Sequence, residues 1–185
     1  ELNFTFLFAP YFHPAMKAIA PVRAALGVRT VFNILGPLTN PAKPPFALIG
    51  AYSEPMALLM ANTLAGMDLE RAFVIHGEPG WDEATPVGEF VVFDVRDSKV
   101  IREVRTPEDY RLKRCTAEDL KGGDARFNAD ALRSVLDGRD HGAHYDALCL
   151  GAALALEVSG TCASRRSALA QVRETINTGR GAALL

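Results

Sequence analysis

The residues with chemistry to offer fall in two clusters. The first spans the opening forty positions, Phe6-Leu-Phe-Ala-Pro-Tyr-Phe-His13-Pro-Ala-Met-Lys17 running on to Asn33-Ile-Leu-Gly36-Pro37-Leu-Thr-Asn40. It sets His13, Lys17, Arg23 and Arg29 among apolar residues and closes on a Gly-Pro pair. Apolar walls with a few convergent polar groups make a pocket for a small, flat, anionic ligand. An Arg fork suits a carboxylate bidentately. His13, between aromatic neighbours and Pro14, carries an imidazole able to stack on a planar ring or hydrogen-bond to it. Gly36-Pro37 reads as an unusual turn where backbone approaches a ligand closely. The second cluster is His76-Gly-Glu-Pro-Gly-Trp-Asp82-Glu83, a carboxylate pair following a strand-like run. Such a pair suits Mg²⁺, which takes few protein ligands and fills its sphere with water and substrate phosphate. An aromatic-acid pocket together with a hard-metal site predicts an enzyme acting on a phosphorylated substrate.

Each residue also has an ordinary reading. On spacing alone, Asp82-Glu83, with Glu78 as a weaker third, reads sooner as a solvated acidic turn. His76 fits a hydrogen-bonded packing residue at a strand end. His13 fits a half-buried side chain, and Arg23, Lys17 and Arg29 fit surface charges. Gly122-Gly123-Asp124 imitates a phosphate-binding loop, but a polar helical segment precedes it where such a loop needs a strand. Gly122 is read instead as ending one helix and Asp124 as capping the next.

The elements that must position these groups are legible from hydrophobic periodicity. Residues 3–8 are short and aromatic and predict a buried strand. Pro14 opens a helix whose apolar stripe runs to Leu26, with Pro21 expected to kink or split it. Residues 46–52 predict a second strand, Ser53 caps a helix of about a dozen residues, and residues 72–76 predict a third strand. Strand, helix and strand with short connections form a βαβ unit with parallel strands and a right-handed crossover. Residues 89–95 and 99–105 flank Arg96-Asp-Ser and predict a hairpin. Residues 106–123 read as a polar excursion with one short helix at 117–120. Three helices follow, at 125–136, 143–158 and 164–177. The fold class is α/β: a mixed, mainly parallel sheet covered by helices, in one domain spanning residues 1–185.

Bulk properties set the outer limits. The chain has 185 residues, and at that length a core can bury about 70% of the unfolded surface without staples. Twenty basic and 22 acidic residues give a net charge of -2, with no run of Lys or Arg. Nucleic acid and polybasic membrane contacts are therefore not expected. Cys115, Cys149 and Cys162 are odd in number and far apart, which predicts reduced thiols and a cytoplasmic protein. No apolar run reaches the roughly eighteen residues of a membrane span. The abrupt start, with no initiator Met or cap before residues 3–8, predicts the later part of a longer protein.

In this order the motifs resemble the anthranilate phosphoribosyltransferase family. The resemblance is carried by Phe-Ala-Pro-x-x-His13-Pro-Ala-Met-Lys, Pro21-Val-Arg23, Leu-Gly-Val-Arg-Thr30, Phe32-Asn-Ile-Leu-Gly-Pro-Leu-Thr-Asn-Pro41 and His76-Gly-Glu-x-Gly-x-Asp82-Glu83. It continues through Gly122-Gly-Asp-Ala and Asp146-Ala-Leu-x-Leu. The family moves phosphoribose from phosphoribosyl pyrophosphate to the amine of anthranilate, in tryptophan biosynthesis. The resemblance implies a fold like the large domain of nucleoside phosphorylases and phosphoribosyltransferases, and that these residues are the larger lobe of the longer protein. It further implies that His13 and Arg23 line the anthranilate path, that Gly36 and Pro37 lie beside the ring, and that Asp82 and Glu83 hold Mg²⁺ on the pyrophosphate. No residue is assigned a catalytic role, because an aryl amine is neutral at pH 7 and needs little proton transfer. The family's N-terminal helical domain and Gly-Thr-Gly-Gly-Asp loop are not in this sequence, and its dimer contacts lie largely there. The expectation is therefore a homodimer in the full-length form, little activity for these 185 residues alone, and exposed apolar surface. Gly151 stands where the family usually has Asn. A pyrimidine nucleoside phosphorylase is the nearest enzymatic rival. A non-catalytic remnant is the rival of another class.

Overall fold

The computed structural model describes residues 4–27 and 32–184. By its contacts the chain divides into two compact units, Glu1–Pro44 and Pro45–Leu185.

The first unit is helical where it is ordered into elements: α1 (Ala9–Phe12), α2 (Pro14–Leu26) and α3 (Phe32–Leu38). The strand expected at residues 3–8 is not formed at residues 4–8, and Asn3 lies outside the described residues. These aromatics are largely exposed, Phe4 at 76% and Phe6 at 77%, so the segment lacks the neighbouring strand that would bury it. Phe6, Phe8 and Tyr11 pack on one another instead, with ring centroids 6.4 and 5.5 Å apart. Pro21 does not split α2, which is one helix from Pro14 to Leu26. The turn expected at Gly36-Pro37 is also corrected: both residues lie within α3, whose end is closed by the Thr39 hydroxyl donating to the Leu35 carbonyl at 2.7 Å.

The second unit is a four-stranded sheet of order β1-β2-β3-β4, with β1 at Phe46–Gly50, β2 at Arg71–Gly77, β3 at Phe90–Arg96 and β4 at Lys99–Arg105. The β1–β2 pair is parallel, joined through α4 (Glu54–Ala65), and the βαβ unit read from the sequence is present. The other two pairs are antiparallel. The sheet is mixed as expected, but the parallel share is the smaller one. The β3–β4 hairpin turns through Asp97 and Ser98, both at positive φ (51° and 57°), the backbone that matches the twist of two-residue hairpins.

Alternation along the strands sorts the two faces of the sheet. Ala72, Val74, Phe93 and Val95 are buried beneath α4, which contributes Ala57, Met60, Ala61 and Leu64. Phe73, Ile75, Phe90 and Val92 face the other way, into a core shared with α6 (Ala143–Val158) and α7 (Arg165–Asn177). α5 (Ala125–Leu136) and α6 have the bounds expected from periodicity, and α7 starts one residue later than expected; Asp124 and Ser164 accept from the Phe127 and Ser167 amides at the N-termini of α5 and α7. Missed by sequence reading was a 3-10 turn at Pro107–Tyr110. It delivers Tyr110 to a buried ionic cluster. Arg105, 2% exposed, donates to the Tyr110 oxygen at 2.9 Å and to Glu157 at 3.2 Å, while the Tyr110 hydroxyl donates to Glu157 Oε1 at 2.7 Å. Arg71 grips Asp94 with two bonds, 2.9 and 2.6 Å, and both guanidiniums lie over the Phe73 ring.

Candidate functional site

The loop between β2 and β3 leaves the sheet where the parallel pair ends, the position at which α/β proteins place ligands. Its first turn is tight. The amides of Gly80 and Trp81 both donate to the Gly77 carbonyl, at 2.9 and 2.8 Å, and the Gly77 amide donates to Trp81 O at 2.9 Å. The Glu78 amide donates to Glu89 O at 3.0 Å, which draws the two ends of the loop together. Ala84, Thr85 and Pro86 are buried, so the far limb of the loop is anchored in the core. Thr85 serves this anchoring directly, its hydroxyl donating to Glu78 O and accepting from the Val87 amide at 3.3 Å. Between the turn and the anchor, Asp82 and Glu83 are exposed. The site is thus two adjacent carboxylates on a loop fixed at both ends.

The neighbouring candidates separate cleanly from this pair. His76 alternates onto the sheet face covered by α4 and its Nδ1 lies 2.9 Å from the Ala51 carbonyl. A carbonyl only accepts, so Nδ1 carries the proton. This is the packing reading of His76. The Glu78 side chain lies against Gly88, where a Cβ would fall 2.8 Å from its Cδ. The N-terminus of α4, close in sequence to the end of β1, is filled by its own residues. The Met56 amide donates to Ser53 Oγ at 3.4 Å, and Arg102, donating to Glu54 at 2.7 Å, holds that carboxyl below its usual range. Gly122-Gly-Asp124 is no phosphate loop. The Gly123 amide donates to Asn128 Oδ1 at 2.9 Å and Asp124 caps α5.

Beside Glu83 a cleft of about 580 Å³ opens between α5 and α6, with Leu132, His144, Leu148 and Gly151 among its lining. A Cβ at Gly151 would meet no described atom beyond its own helix backbone within 4 Å.

In the first unit, His13 is half-buried between α1 and α2, and its carbonyl accepts from the Lys17 amide at 3.2 Å. Arg23 lies on α2, about two and a half turns after Pro14. Arg29 and Thr30 lie outside the described residues. Gly36, half-buried in α3, has no described atom within 4 Å of where a Cβ would be. Among the described residues, no group of three or more His, Cys, Asp or Glu could hold a metal, and no helix is long and apolar enough to cross a membrane.

A mixed sheet with helices on both faces, and ligand-accessible loops where its parallel strands end, makes this an α/β domain. The family model described as "Glycosyl transferase family, a/b domain" matches residues 1–182, and the chain belongs to that family. Among curated relatives, it is 42% identical over 176 residues to the anthranilate phosphoribosyltransferase of Chloroflexus aggregans, covering 95% of this chain and 52% of the relative. A solved anthranilate phosphoribosyltransferase from Thermus thermophilus superposes with a TM-score of 0.89 at 42% identity, covering 99% of this chain and 54% of the other. The Saccharomyces cerevisiae enzyme solved with PRPP and Mg gives a TM-score of 0.87 at 27% identity, over 98% of this chain and 51% of that one. The chain spans about half the length of the curated relatives it matches.

Proposed function

We propose that this chain is the α/β part of an enzyme that transfers phosphoribose from phosphoribosyl pyrophosphate to the amine of anthranilate, a step of tryptophan biosynthesis in the cytoplasm. The observation that carries this reading is the exposed Asp82-Glu83 pair on a doubly anchored loop, at the ligand-binding end of the parallel strands. Support comes from the relative solved with PRPP and Mg, and from another solved with 4-fluoroanthranilate.

Asp82 and Glu83 would hold Mg²⁺, which when bound neutralises the pyrophosphate leaving group. Arg23 pairs with the anthranilate carboxylate, and His13 borders its path. Gly36 and Pro37 leave room for the ring. The C1–O bond to pyrophosphate breaks as the amine nitrogen bonds C1, and the nitrogen then releases a proton to water. Alignment of amine and C1 supplies the rest of the acceleration. The longer protein is read as a homodimer, on the resemblance in sequence.

The test is calorimetric titration of the chain with anthranilate, wild type against Arg23→Ala. Binding by wild type that is lost in the variant is the expected result. Equal binding by both would remove Arg23 from the site. In the longer protein, Asp82→Asn with Glu83→Gln should lower kcat/KM at least about 100-fold, roughly 2.7 kcal/mol of transition-state stabilisation. An unchanged rate would overturn the metal reading. The 185 residues alone should show little or no transfer, and full turnover would contradict the proposal that they are one part of the enzyme.

A further inference from the structure

Gly50 ends β1 and Gly77 ends β2. Gly50 pairs with Ile75, so Gly50, Ile75 and Gly77 point to one face of the sheet, the face covered by α6 and α7. The descending limb of the β2–β3 loop crosses both glycines in turn. A Cβ built on Gly50 would lie 2.8 Å from the Asp82 carbonyl carbon and 3.1 Å from Asp82 Cβ, and would overlap the Asp82 oxygen. A Cβ on Gly77 would lie 3.3 Å from the Glu83 carbonyl carbon and would overlap the Glu83 oxygen. The obstacle at each position is backbone, which cannot swing aside as a flexible side chain does. Glycine within a strand commonly marks such a close approach of another backbone. Here the two approaches fall on two consecutive residues, and those are the carboxylate pair. Ala84, next along, plugs into the same core as Ile75 and Phe90.

We propose that Gly50 and Gly77 are positioning residues, which fix the height of Asp82 and Glu83 above the strand ends by giving each carbonyl a seat that no larger residue leaves open. They touch no ligand themselves. The sheet needs neither glycine for its backbone, because neither has a positive φ. The requirement comes from the loop alone. The part of this inference that concerns a metal rests on the reading of Asp82 and Glu83 as its ligands.

The test uses the 185-residue chain and amide NMR, with Mn²⁺ as the probe. Wild type, Gly50→Ala, Gly77→Ala, the Asp82→Asn/Glu83→Gln pair and a control, Gly66→Ala, are compared. Gly66 is suited to the control because its added Cβ would make only an ordinary 3.6 Å contact with Thr63 O. The seat predicts that each strand-end variant shifts the amides of residues 81–85 while β3 and β4 keep their wild-type positions. It further predicts that Mn²⁺ broadening of residues 82–84 requires at least tenfold more Mn²⁺ in both strand-end variants, and none more in the control. Unmoved amides at 81–85, or moved amides with unchanged Mn²⁺ sensitivity, would overturn the proposal. Loss of fold in both strand-end variants would also overturn it, since the clash would then be carried by the sheet. If wild type shows no Mn²⁺ broadening that the carboxylate variant removes, the metal reading fails separately, and the shifts at 81–85 alone decide whether the glycines seat the loop.

Discussion

Tyr110 and Cys149 lie in the interior with ionisable groups that the proposed chemistry does not use. Burial pushes the Tyr110 phenol far above its ordinary value and raises the Cys149 thiol as well. Both folded-state values exceed the unfolded ones, so their contribution is complete at neutral pH. It is lost as pH rises through 9.0 and then 10.0, where the unfolded thiol and phenol ionise while the folded groups keep their protons. Urea unfolding between pH 8 and 11 should show stability falling, with the slope reduced in Cys149→Ala. A flat profile would contradict the burial of both groups. The Arg105 cluster gives a second expectation. Removing the guanidinium leaves Glu157, with an 11% exposed side chain, short of its nearest buried cation. Arg105→Ala should cost about 3–5 kcal/mol in chemical denaturation. A loss below about 1 kcal/mol would mean the cluster is effectively solvated. None of this was legible beforehand. Arg105 ends an ordinary polar strand, and Tyr110 sits in a stretch whose sequence reads as a loop. That Asp82 and Glu83 lie exposed on a loop after β2 was legible, because their adjacency and the Gly77-Glu-Pro-Gly80 run before them are local features. Their anchoring by Thr85 was not, since a Thr in a polar loop signals nothing until the loop closes.

The helices show how far local pattern reaches. Asp124 announces its helix as a capping residue, Ser164 proves to cap α7 rather than open it, and the 3.6-residue stripe carries α5, α6 and α7 to their observed ends. Elements that depend on distant partners were read less well. Residues 4–8 have strand composition, but composition cannot supply a neighbour to pair with. Gly36 and Pro37 have turn composition, yet both fall in the last turn of α3, where a turn reading and a helix end share the same residues. The antiparallel half of the sheet follows from the hairpin at Asp97-Ser98, which was visible, although its share of the sheet was underestimated. Gly151 provides the test at this scale. It lies inside α6 with open space around its missing Cβ, so Gly151→Ala has a helix-propensity gain and no clash. The variant should be up to about 1 kcal/mol more stable by chemical denaturation. A destabilised variant would show that the cleft beside Glu83 closes over that position.

At the scale of the molecule, the chain spans about half of its curated relatives and exposes aromatic surface near its beginning. Phe4, Phe6 and Tyr11 are 76%, 77% and 81% exposed, more than an isolated soluble surface usually tolerates in one short segment. The chain should therefore self-associate at micromolar concentration in analytical ultracentrifugation, and Phe4→Ser with Phe6→Ser should lessen this. A monodisperse wild-type monomer would count against that patch being adhesive. The loop that carries the carboxylates has one more property, which belongs to the whole chain. Trp81, the sole tryptophan in 185 residues, forms the closing bridge with Gly77 and immediately precedes Asp82. Every photon of indole emission therefore originates one residue from the site. The protein is in effect supplied with its own optical label there, and unlabelled material suffices to watch that loop fill, empty or unfold in real time.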